Sequence, residues 1–145
     1  MIILKRGVTG FFESADSKLS EMSFSSFRKI CYSLRLEDFV LTETVQNKYS
    51  GYYYAKCRIS GNNLYILLNR YYPFIAFTEN LSYGEKVFKD VPALEVFFYG
   101  YNVLKADILN SPFRKDESEL SECELRQIDY YSPVTFGNVI FNEWD

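Results

Sequence analysis

At 145 residues, 48% hydrophobic and 24% charged, the chain has the size and composition of a single globular domain, 1–145, which argues against disordered or fibrous classes. It contains no histidine, which removes Ser–His and Cys–His catalysis, histidine general bases and Cys/His zinc sites. The net charge of −3 divides into +4 over residues 1–70 and −7 over residues 71–145, an asymmetry that polarises the surface if the two halves do not interleave.

In chain order, Ile2–Val8 reads as a first strand, and Phe11–Ser23 as a connection rich in Ser and Asp. Phe24, Phe27, Ile30, Cys31 and Leu34 recur at helical spacing, with Ser20 or Ser23 as the N-cap. Phe39–Val45 and Tyr52–Ile59 read as strands, and Ser60-Gly61-Asn62-Asn63 turns the second into Leu64–Asn69 as a hairpin. Tyr72–Thr78 is a further strand whose start Pro73 places at an edge or outside the ladder. Val91–Leu109 carries both signals: Leu94, Phe97, Phe98, Tyr101, Leu104 and Ile108 fit a helix face, while Val96-Phe97-Phe98-Tyr99 and Gly100 favour strands. Strands are the preferred reading. Asp116–Tyr131 is a second helix, with Asp116 and Glu119 as a capping-box-like pair and Pro133 as its stop. Thr135 caps a short terminal helix, although the alternation of Val139 and Phe141 permits a strand. The expected fold is α+β: a mainly antiparallel sheet of about five to seven strands with two or three helices.

Thirteen Tyr, thirteen Phe and one Trp suit the half-buried surface of a pleated sheet. Cys31, Cys57 and Cys123 are odd in number and form no CxxC pair, so buried free thiols are expected, with no metal site. The N-terminus lacks a signal-peptide apolar core, and the longest apolar runs, Leu64–Leu68 and Tyr71–Phe77, are too short to span a bilayer. A cytoplasmic protein with no membrane partner is the expectation. No GxxxxGK[ST] or GxGxxG is present, so no nucleotide cofactor is expected. Tyr49, Tyr52, Tyr53 and Tyr54 interleave with Lys48, Lys56 and Arg58, but alternate strand residues face opposite ways and the pI near 5.1 opposes a nucleic-acid footprint.

Carboxylates remain. Asp90, Glu95 and Asp107 lie in an apolar stretch, where a convergent pair would support a hydrolase. Asp116, Glu117, Glu119, Glu122 and Glu124 place five acids in nine residues on the second predicted helix. The bland reading is a solvated face near a helix N-terminus; the sharper one is a docking surface for a basic protein partner, with Tyr52 and Tyr54 as aromatic anchors. The spacing lacks D-x-[DN]-x-[DN]-G, so calcium is not implied. In general character the chain resembles the immunity proteins that bacteria make against toxins, many of which cover a cationic nuclease with a carboxylate- and Tyr-rich face. The resemblance is one of type, without a family motif. The expectation is a non-catalytic domain that captures a basic partner and so could neutralise a toxin, with a carboxylate-based hydrolase or a structural or regulatory subunit as alternatives.

Overall fold

The computed structural model describes residues 3–48, 50–81 and 86–144. Its centre is the expected hairpin. β2 (Tyr52–Ile59) and β3 (Asn62–Asn69) pair antiparallel along their whole length, from Tyr52 opposite Asn69 to Ile59 opposite Asn62. Ser60 (φ 51°) and Gly61 (φ 80°) form the two-residue turn, both in the left-handed region that a twisted hairpin requires. β1 (Phe39–Val45) pairs outside β2, with a bulge between Leu41 and Glu43. β4 (Phe74–Thr78) pairs antiparallel with β3. Along its other side lie the short β5 (Phe88–Lys89), antiparallel, and β6 (Asn102–Val103), parallel. As anticipated, Pro73 stands just before the ladder, which starts at Phe74. The α+β class is therefore shown: six strands, mostly antiparallel, among the described residues.

Strand alternation gives this sheet two buried faces. Tyr53, Ala55, Cys57, Leu64, Ile66, Leu68, Ile75 and Phe77 point one way, under α1 (Phe24–Ser33) and Leu94 and Phe98. Tyr52, Leu67 and Ala76 point the other way, against Leu4, Val8, Phe88, Leu109, Ile128 and the terminal segment Phe136–Phe141. α1 forms where the apolar spacing placed it. Ser23 accepts from the Ser26 N–H at its start, and Phe27 and Cys31 are buried.

Three local expectations are corrected. Ile3–Val8 is not a strand: its only β pairing among the described residues is an isolated bridge between Lys5 and Glu119, followed by turns, while residue 2 lies outside the described residues. Val91–Leu109 is mostly not strands. Pro92 opens a short helix, α2 (Pro92–Glu95), Gly100 (φ 90°) turns the chain, β6 adds two residues to the sheet, and α3 (Ala106–Leu109) follows. Burial of Leu94 and Phe98, four residues apart, overrides the β-propensity of Val96–Tyr99. The second long helix, α4 (Glu122–Tyr131), starts later than expected; Lys115–Glu117 is a separate 3-10 turn. Its capping box is Ser121 with Glu124, not Asp116 with Glu119. α5 (Phe136–Ile140) is the terminal helix, capped by Thr135 as expected.

Candidate functional site

The acids of the 116–124 run are placed very differently from one another. Glu124 is fully buried. Its carboxylate accepts from the Gly7 N–H (2.9 Å), the Thr9 N–H (3.1 Å) and the Thr9 hydroxyl (2.5 Å). It also accepts from the Ser121 N–H and hydroxyl, both at 3.0 Å. It fastens the N-terminal segment to α4 and has no exposed oxygen for a partner, so its assignment to a docking face is corrected. Asp116, Glu119 and Glu122 are exposed, and the Glu117 side chain lies outside the described ones. Glu119 faces Lys5 at 3.3 Å, and nearby Asp129 and Glu13 face Lys115 (2.6 Å) and Arg126 (3.8 Å). Exposed pairs of this kind are worth about 0–1 kcal/mol, so they leave these acids free to exchange partners.

Tyr52 is not an anchor at the surface. It is buried, its hydroxyl donates to Glu143, and the Lys86 ammonium sits 5.3 Å from its ring centroid. Lys86 in turn pairs with Glu143. Burial holds the Lys86 ammonium below its ordinary pKa against the opposing pull of Glu143, and burial together with the Glu143 bond pushes the Tyr52 phenol up. Tyr54 is half-buried between the rings of Tyr52 and Tyr65. Tyr49 lies outside the described residues.

The other candidate acids gather around a cation rather than around a vacant reaction centre. Lys105 contacts Glu95 at 3.0 Å. Its pKa is raised first by that hydrogen bond, with Asp90 and Asp107 adding attraction. Asp90 also accepts from the Ala106 N–H at the start of α3. The thiols of Cys31 and Cys57 are buried in the first core, where burial pushes both up to about 12, so neither is a thiolate at neutral pH. Among the described residues no group of three His, Cys, Asp or Glu could hold a metal ion, and no helix is long and apolar enough to cross a membrane.

Two concave features stand out. One is a mainly apolar groove of about 310 Å³ between the β2–β3 turn and α2, walled by Leu64, Val91, Pro92 and Ala93 and rimmed by Glu79, Lys89 and Asp90. Immediately beyond α2, Val96 is 76% exposed and Tyr99 94% exposed. Sequence reasoning missed this surface because it assigned Val96–Tyr99 to a strand. The Gly100 turn, which lifts Tyr99 outward, is the signal that could have found it. The other is a polar cleft of about 300 Å³ where the N-terminal segment, the start of β2, the end of β3 and the C-terminal tail meet. A comparison with protein-family models, curated proteins and solved structures finds no match for this chain in any of the three.

Proposed function

We propose that the chain is a non-catalytic binding domain that captures a basic protein, using the α2 surface as its apolar anchor. The observation that carries this reading is Tyr99, almost wholly exposed three residues after the exposed Val96, in the chain segment that follows the groove residues Val91, Pro92 and Ala93. Tyrosine presents a large contact area for little loss of side-chain entropy, and such residues dominate the energetics of protein interfaces. The surrounding charges favour a cationic partner: Glu79, Asp90, Glu95 and Asp107 stand against Lys89 and Lys105. Asp116, Glu119 and Glu122 are exposed elsewhere on the chain and add to a field that steers a positively charged protein toward it. A toxin enzyme with a basic substrate-binding face is one partner of this kind, and covering that face would neutralise it.

The experiment is photo-crosslinking in the native cell from a benzophenone amino acid at Val96, followed by identification of the adduct. One predominant protein of basic pI is expected, with the adduct lost when Tyr99→Ala is added. No adduct, or a predominantly acidic partner, overturns the proposal. The carboxylate hydrolase has no comparable support, because Glu95 and Asp107 are both drawn to Lys105.

A further inference from the structure

The polar cleft is built from the cations of the N-terminal half. Among the described residues, Lys18, Lys48 and Arg70 line it, against one carboxylate, Glu21. Arg70 is a fixed wall: its guanidinium donates to Glu21 (2.7 Å), to the Ser50 carbonyl (3.0 Å) and to the Asn47 carbonyl, and lies 5.0 Å from the Tyr53 ring centroid. Lys18 and Lys48 are exposed, and among the described residues neither has a carboxylate within ion-pair distance. Among the described lining residues the cleft thus carries an excess of two positive charges, with Lys18 attracting Glu21 from beyond ion-pair distance and Lys48 in no ion pair.

The floor beneath them is stitched together in advance. The Gly51 N–H donates to the Asn142 carbonyl and the Arg70 N–H to the Gly51 carbonyl, both at 2.9 Å. A Cβ at residue 51 would meet the Thr9 carbonyl at 3.4 Å and the Asn142 carbonyl at 3.5 Å, ordinary contact distances, so these three backbone segments already lie packed together. Asn142, which is buried, also donates to the Thr9 carbonyl at 3.1 Å and to the Val139 carbonyl at 2.9 Å. Pre-formed concavity with a few convergent polar groups is the usual character of a small-ligand site, and about 300 Å³ is the low end of its size range.

We propose that this cleft binds a small phosphate-bearing molecule, its phosphate held by Lys18 and Lys48 with Arg70 behind them. Charge decides between oxyanions: a phosphate monoester carries about −1.5 to −2 at neutral pH, which matches the cleft's surplus, whereas a single carboxylate would leave half of it unmet. Lysine ammonium groups bind phosphate as flexible point charges and need no fixed bidentate geometry.

Trp144 lines the cleft and is the only tryptophan in the chain, so its fluorescence reports on occupancy directly. The test titrates the full chain with inorganic phosphate, inorganic pyrophosphate and acetate at constant ionic strength. A saturable change with phosphate and pyrophosphate is expected, with acetate at least about tenfold weaker, a gap of about 1.4 kcal/mol. Lys18→Gln with Lys48→Gln weakens pyrophosphate binding at least about tenfold, each single variant falls between, and Lys29→Gln on exposed α1 changes nothing. Circular dichroism confirms that the variants fold. No saturable change, equal binding by the double variant, or equal binding of acetate would each overturn the proposal.

Discussion

Replacing Glu124 by alanine strikes the joint that holds the N-terminal segment to the rest of the fold. The change strands three buried donors of that segment, the Gly7 and Thr9 N–H groups and the Thr9 hydroxyl, and removes half of the α4 capping box. Hydrogen bonds to a charged group are worth about 1.5–3 kcal/mol each, but these act as one network and do not add. A buried donor left unsatisfied costs about 1–3 kcal/mol, and a destabilisation of about 3 kcal/mol is expected for Glu124→Ala. Glu124→Gln keeps the shape but turns an amide NH₂ toward donors on one side, for a loss of about 2 kcal/mol. Urea denaturation measures both, and hydrogen exchange reads the Gly7 and Thr9 amides, which exchange faster in each variant. If Glu124→Ala unfolds within about 1 kcal/mol of the parent, the carboxylate does not hold the segment and the reasoning fails.

Other consequences follow from single contacts. A Cβ on Gly137 would meet the Phe88 ring at 2.2 Å and the Leu109 carbonyl at 3.0 Å, so Gly137→Ala lowers stability by about 1–3 kcal/mol through overpacking, measured by thermal unfolding. The bond to Arg70 is the largest of the effects on Glu21, which holds its carboxyl below its ordinary value of 4.5. The folded pKa is depressed, so this contribution is present above about pH 4.5 and is lost as pH falls through the folded value. Glu21→Gln therefore makes stability less steeply dependent on pH below 4.5, and an unchanged slope in acid denaturation would contradict the assignment. Cys31 and Cys57, buried with thiols raised to about 12, should resist a disulfide reagent at pH near 8 in the folded protein and react at once in denaturant. Rapid labelling of either in the folded state would place it outside the core.

What the sequence made legible was local. The hairpin was readable because Ser60-Gly61 and two alternating runs sit within twenty residues, and α1 because its apolar spacing lies on one turn-by-turn stripe. The N-terminal segment was not, because what fixes it comes from far along the chain: the Glu124 carboxylate and the side-chain amides of Asn69 and Asn142, which bond the Val8 and Thr9 carbonyls. Counting the acids from 116 to 124 as one face ignored a signal that was present. Ser121-Glu122-Cys123-Glu124 is itself a capping box, and Glu124 lies four residues before the buried Ile128, on the inward side of α4. Tyr52 failed as an anchor for a similar reason. Alternation puts it on an inner face, and the lid over that face is the C-terminal segment, which no local pattern ties to β2. The polar cleft joins four separated stretches of chain and had no sequence signature beyond the cationic surplus of the first seventy residues.

Tyr99 is the centre of the proposed interface, and one measurement tests its role directly: the dissociation constant for the crosslinked partner, once purified, with the parent chain and with Tyr99→Ala. Because the side chain is 94% exposed, truncation leaves the fold intact, and any change reads the interface. Binding at least about thirtyfold weaker is expected, the roughly 2 kcal/mol of an interface hot spot, with the loss mainly in a faster off-rate. Affinities within about twofold of one another, well under 1 kcal/mol, would show that the α2 surface is not where this protein holds its partner.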